Sequence, residues 1–268
     1  MPGTSETPLS STVYTSKIIK AGALLADTKT MLAQWDESLS VSENLNRFRR
    51  ENIFGKASRS RIEDILAIFR QRYLKSESVT RSLTALVQGG FPSEALDRIL
   101  YFFAAQADLL LHDVVTEVLA HFHAIGKVDV TAGDIRAALT RWMGEGKVAR
   151  QWSENTLVRS TRELLSTLRD FGILQGSVHK RLAPVYLPVE AFAYMAFYLR
   201  QHQPSGKRLL DDPEWQLFFL SHQAVEQFFF EAHQHHLLEY QAAGSIIRIT
   251  FPSNSLEEYA YALTQRTH

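Results

Sequence analysis

The sequence predicts a mainly α-helical chain. It reads as a helical bundle with an N-terminal helix-turn-helix-like unit, a central winged helix-turn-helix with a short β-wing, and a small C-terminal α+β cap. Three observations predict this. Apolar residues recur at helical spacing along most of the chain. Residues 131–187 run as two capped amphipathic segments followed by two short apolar stretches around a basic loop. Residues 42–74 read as helix, short turn, helix.

The central stretch carries the functional reading. Thr131 and Asp134 form a Thr-x-x-Asp helix start, because both side chains can satisfy free backbone N–H groups. Ile135, Ala138, Leu139 and Trp142 then share one face, and Gly144 and Gly146 end the helix. Ser153 is the next cap, and Leu157, Thr161, Leu164, Leu165, Leu168 and Phe171 make the inner stripe of a second helix closed by Gly172. Asn155, Arg159, Arg162, Ser166 and Arg169 fall on the opposite stripe. Arg and Asn pair bidentately with guanine and adenine edges in a major groove, so this stripe is a candidate DNA-reading face. Segments 173–175 and 185–187 are expected to pair as a wing, with Gly176, Lys180, Arg181 and Pro184 in the loop between. A basic loop tip suits phosphate or minor-groove contact. The same pattern also fits a helical pair plus hairpin with a solvated arginine face, and the link 144–152 is longer than the usual helix-turn-helix turn.

Taken in order, residues 1–16 read as a flexible tail and residues 16–34 as one helix. Ser42 and Glu43 start the next helix, with Leu45 and Phe48 inside. After a turn at 52–56, Ser58 caps a helix whose apolar face is Ile62, Ile65, Leu66, Phe69 and Tyr73. Lys56, Arg59 and Arg61 lie at its start, where recognition helices present side chains to bases. Glu63 and Asp64 sit beside them and would repel phosphate, so a capped hairpin within a bundle fits equally.

The quoted residues of this region also carry a resemblance. Residues 21–25, Trp35 and Asp36, the run 51–61 and the run 68–74 together resemble the BrxA family, small non-catalytic proteins of bacteriophage-exclusion (BREX) defence systems. The match is specific across 17–74 and collinear beyond. The resemblance implies a mostly helical component of a phage-resistance operon that binds double-stranded DNA alongside other phage-exclusion proteins. The family's likeness to RNA-binding antitermination proteins keeps RNA as an alternative, and a scaffold that touches no nucleic acid is another.

Further along, Gly89 to Pro92 break a helical stretch, Leu96, Ile99, Leu100 and Phe103 form one face, and Asp108 caps a helix through Phe122. Residues 127–130 are a candidate short strand. Pro188 and Pro213 open later helices, residues 224–241 read as a longer one, 245–251 as a strand and 255–265 as a last helix. The expected divisions are a tail (1–16), an N-terminal helical domain (17–126), a winged-helix unit (127–203) and a C-terminal helix-strand-helix subdomain (204–268).

Charge is unevenly placed. The net charge is zero, with 29 basic and 29 acidic side chains. Residues 45–75 hold Arg47, Arg49, Arg50, Lys56, Arg59, Arg61, Arg70, Arg72 and Lys75 against only Glu51, Glu63 and Asp64. The last sixty or so residues reverse this, with Asp211, Asp212, Glu214, Glu226, Glu231, Glu239, Glu257 and Glu258 against Lys207, Arg208, Arg248 and Arg266. This acidic end suits a partner-protein surface better than phosphate. There is no cysteine, hence no disulfide or thiolate metal site. No signal peptide or membrane-length apolar run is visible, so a cytoplasmic protein without membrane contact is expected. His233, His235 and His236 lack metal-ligand spacing, and phosphate-loop, nucleophile-elbow and dinucleotide fingerprints are missing. No cofactor and no enzymatic activity are expected.

Overall fold

The computed structural model describes residues 13–203, 205–244 and 246–266. It is mainly helical, with two small antiparallel sheets. The helices begin with α1 (Ile18–Ala21), α2 (Leu25–Ala33), α3 (Val41–Glu51), α4 (Arg59–Tyr73), α5 (Glu77–Gln88) and α6 (Ser93–Ala107). At Asp108 the path turns by 109° into a helical run made of α7 (Leu109–Asp113), a π-helical segment (Val114–Leu119) and α8 (Ala120–Ala124). Then come β1 (Asp129–Val130), α9 (Ala132–Gly144), α10 (Glu154–Asp170), β2 (Leu174–Gln175) and β3 (Lys180–Leu182). The chain continues with α11 (Val189–Arg200), α12 (Gly206–Leu210), a 3-10 turn (Pro213–Phe218), α13 (His222–Gln234), β4 (Glu239–Ala243), β5 (Ile246–Thr250) and α14 (Leu256–Arg266).

Caps and stripes explain most boundaries. The hydroxyls of Ser58, Thr131 and Ser153 each accept the backbone N–H three residues on, and Asp108 accepts those of Leu110 and Leu111. The stripes Ile62, Ile65, Leu66, Phe69 and Tyr73, and Leu157, Thr161, Leu164, Leu165, Leu168 and Phe171, are all buried. They join one contiguous apolar core that α11 crosses with both flanks buried. Helix α14 packs along α5, and α11 packs against α6, α13 and α14.

Several expectations are corrected. The helix expected over 16–34 is two helices, broken where Gly22 and Leu24 take positive φ (55° and 54°). The break exposes the Gly22 and Ala23 carbonyls to the buried Arg72 guanidinium, which donates to them at 2.9 and 3.1 Å. Helix α3 starts earlier than Ser42, because Ser40 and Glu43 make a reciprocal capping box. Residues 1–12 of the expected tail lie outside the described residues. Tyr14, however, is 3% exposed and bonded into the core region, so the tail reading fails there.

In the sheet, β2 pairs with β3 (Leu174 with Leu182), and β1 pairs with β3 on the other side, giving the order β1-β3-β2. The strand that pairs with 174–175 is therefore 180–182, not 185–187, and Lys180 and Arg181 lie on that strand rather than in the loop. The turn is tight because Gly176 holds φ +94°, where a Cβ would meet the His179 carbonyl oxygen at 2.0 Å.

The helix expected over 224–241 ends at Gln234, and His236 turns the chain at φ 56°. Residues from Glu239 onward then form a hairpin with β5, so the C-terminal strand has a partner that the sequence pattern did not suggest. At the expected start of the C-terminal subdomain, Pro204 lies outside the described residues, while Ser205 caps α12. Among the described residues no single helix is long and apolar enough to cross a membrane.

Candidate nucleic-acid interface

Helix α10 is held in place from several sides. Its first turn is tied to α9 by Arg136 and Glu154 at 2.6 Å. At its C-terminal end, where the unpaired carbonyls carry partial negative charge, the Arg98 guanidinium donates to the Phe171 carbonyl at 2.9 Å. Helix α1 also packs against α10, whose Ser160 and Thr167 are fully buried. The long link between α9 and α10 has a structural use. The Tyr14 amide donates to the Lys147 carbonyl at 2.7 Å and bridges to Val148, so the link holds the segment that enters α1.

This leaves the opposite stripe of α10 facing outward. Asn155, Arg159, Arg162 and Arg169 are all exposed. Arg159 and Arg162 have no hydrogen-bond or ion-pair partner among the described residues, so their charge is uncompensated. Arg169 is different, since it pairs with Asp170 at 2.6 Å and donates to Ser166 at 3.2 Å.

Beside this stripe lies an open groove of about 950 Å³. Arg136, Arg162 and Arg169 line one side, and His179 and Lys180 of the β2–β3 hairpin line the other. Val158, Leu165 and Val178 give it an apolar floor and rim, with Val178 at the hairpin tip 82% exposed. Lys180 donates to the Ser177 carbonyl within the hairpin. Arg181 points elsewhere and pairs with Asp129 at 3.3 Å. Asp134 at the start of α9 is partly buried, yet Lys127 and Thr131 hold its carboxyl below the usual carboxylate range, so it stays ionised as a cap.

The N-terminal basic residues are engaged differently. Lys56 pairs with Asp27 at 3.1 Å, and Arg61 donates to the Lys20 carbonyl at 2.8 Å. Both serve to hold α4 against α1 and α2. Arg59 alone of these three is exposed and makes no hydrogen bond or close ion pair among the described residues, although Glu63 one turn on attracts it. Sequence reasoning missed Arg136, whose place on the groove depends on the angle between α9 and α10. Among the described residues no group of three His, Asp or Glu side chains is arranged to hold a metal ion.

The fold and this face define a mainly helical protein with a charged groove formed by a basic helix and a small three-stranded sheet. The chain belongs to the BrxA family, whose model matches residues 12–199. That family places it among the components of BREX phage-defence systems. The match ends near the end of α11, so the acidic C-terminal elements lie beyond it. No curated protein matches the chain.

Proposed function

We propose that the protein is a non-enzymatic DNA-engaging component of its phage-defence system that binds duplex DNA through a winged helix-turn-helix. The order of elements from α7–α8 through β1, α9, α10, β2 and β3 supports this reading, with α10 as the recognition helix and the β2–β3 hairpin as the wing. The observation that carries it is the pair Arg159 and Arg162, exposed and without ion partners among the described residues, beside a groove edged by further cations. Two uncompensated guanidinium groups on one helix face are suited to a polyanion or to base edges. In this reading α10 enters the major groove, and a phosphate strand crosses the groove between α10 and the hairpin. Asn155, Arg159 and Arg162 approach bases, while Arg136, Arg169 and Lys180 neutralise phosphates.

The test is binding to a labelled duplex by fluorescence anisotropy. Affinity should fall by orders of magnitude between about 50 and about 200 mM salt. Replacing Arg159 or Arg162 by Ala should each weaken binding by about 1–3 kcal/mol and relax any sequence preference, whereas replacing Lys180 by Ala should weaken binding uniformly and reduce the salt slope by about one. Replacing Arg59 by Ala should have a smaller effect. Loss with Arg59→Ala alone would move the interface to α4. Tighter binding to structured RNA than to duplex DNA would favour an RNA-binding role, and no binding to either would favour a scaffold.

A further inference from the structure

The acidic end of the chain carries a groove that the DNA reading does not use. It is about 660 Å³ and runs along the outer face of α13, lined by Glu226, Phe230, Glu231 and, across from them, Tyr240 of β4. The run of three phenylalanines at 228–230 divides sharply. Phe228 and Phe229 both pack on Phe192 at ring distances of 4.9 Å. Phe230 turns outward and is 53% exposed, so packing within this chain does not explain it.

The groove walls are negative. Glu226 accepts from the Tyr240 hydroxyl at 2.7 Å, and burial, with that carboxylate adding to it, pushes the Tyr240 phenol up to about 12. Neither Glu226 nor Glu231 has an ion partner among the described residues. The nearby Arg266 donates to the His235 and His236 carbonyls. Strand β4, which lines the groove at Tyr240, packs against α13, and the Tyr240 amide donates to His233 Nδ1 at 3.5 Å. In the two-stranded sheet, β5 is approached closely by α12, where a Cβ on Gly206 would meet the Ile247 carbonyl at 2.4 Å. Among the described residues the other strand, β4, has no second strand beside it.

We propose that this groove holds an extended, lysine- or arginine-bearing segment of a partner protein. An apolar side chain of that segment rests on Phe230, and its cations face Glu226 and Glu231. An aromatic anchor ringed by like charge fits the usual anatomy of a protein interface, with an apolar centre and charges that select the partner. The same negative charge repels nucleic acid. The surface lies outside the stretch matched to the family.

The experiment uses the full chain and two labelled peptides, one alternating lysine and leucine and one alternating glutamate and leucine. Anisotropy should show the lysine peptide binding in a salt-sensitive way and the glutamate peptide not binding. Phe230→Ser and Glu231→Lys should each weaken the lysine peptide roughly tenfold or more. Tyr261→Ser, at an exposed aromatic on α14 outside the groove, should leave it unchanged, and circular dichroism should show all three folded. Equal binding of both peptides, no binding of either, or indifference to both groove variants would overturn the proposal. Self-association abolished by Phe230→Ser, without lysine-peptide binding, would assign the groove to a second copy instead. Duplex affinity is measured in parallel, and its failure would leave this test untouched.

Discussion

The Tyr14 hydroxyl donates to the Asp113 carboxylate at 2.6 Å, joining groups 99 residues apart in sequence. The same tyrosine lays its ring 5.1 Å from that of Trp142, and its amide bonds the link between α9 and α10. Trp142 in turn donates to Glu117 of the π-helical segment at 3.2 Å. One residue thus connects the N-terminal segment, the bent helical run and the helix pair that presents the basic face.

Tyr14→Phe should therefore keep the ring packing and lose about 1.5–3 kcal/mol, the usual contribution of a hydrogen bond to a charged group. Tyr14→Ala should cost about 3–5 kcal/mol, because the aromatic ring leaves a cavity against Trp142. Urea unfolding of both variants checks this. Equal stability of Tyr14→Phe and wild type would mean that the hydroxyl bond is matched by solvation of the freed groups.

Stability should also depend on pH through His112. Its bonds to Asp113 at 2.9 Å and its approach to Glu214 at 3.6 Å raise its pKa from the ordinary 6.5 to about 9. A raised folded-state pKa means that the folded form binds the proton more tightly. The contribution is complete below about pH 6.5 and is lost as pH rises through about 9, on the order of 2 kcal/mol in all after allowing for partial exposure. Melting curves at pH 6, 7.5 and 9.5 (about these values) should show the decline, and His112→Gln should flatten it. A wild-type curve flat over that range would dismiss the ion-pair network as a source of stability.

How much of this was legible in the sequence follows from how local each signal is. The caps at Ser58, Asp108, Thr131 and Ser153 and the stripes behind them depend on neighbours three or four residues away, and they hold. The break at Gly22 to Leu24 did not show, because Arg72, which holds it open, is some fifty residues distant. The strand 239–243 was hidden because its residues extend the helical pattern of α13, and only pairing with β5 makes them a strand. For the site, spacing alone separated Arg159 and Arg162 from the buried leucines. It could not distinguish them from Lys56, Arg61 and Arg181, whose charges are taken up by Asp27, the Lys20 carbonyl and Asp129.

That last pairing gives a prediction of opposite sign to the arginine deletions. Asp129 is an exposed carboxylate at the groove's edge and engages Arg181 at 3.3 Å. Asp129→Asn removes a negative charge and frees a positive one, while an exposed pair of this kind adds only about 0–1 kcal/mol to stability. Duplex affinity at low salt should rise severalfold and become more salt-dependent, with the melting temperature nearly unchanged. Unaltered affinity would mean that DNA does not come within screening distance of this corner of the sheet.

The hairpin itself can be tested without touching a charge. Gly176 stands at φ +94°, and a methyl group there would sit 2.0 Å from the His179 carbonyl oxygen. Gly176→Ala must therefore displace the turn, at a stability cost larger than the roughly 0.4–1 kcal/mol that the same change gains where the backbone is compatible. The displacement moves Val178, His179 and Lys180 away from their present line along the groove. If the hairpin acts as a wing, duplex affinity should fall in Gly176→Ala even though every cation remains. The residual binding should still respond to loss of Arg159 and Arg162. Should the variant melt at a lower temperature yet bind duplex like wild type, the hairpin would be excluded from the interface, leaving α10 to carry the contact alone.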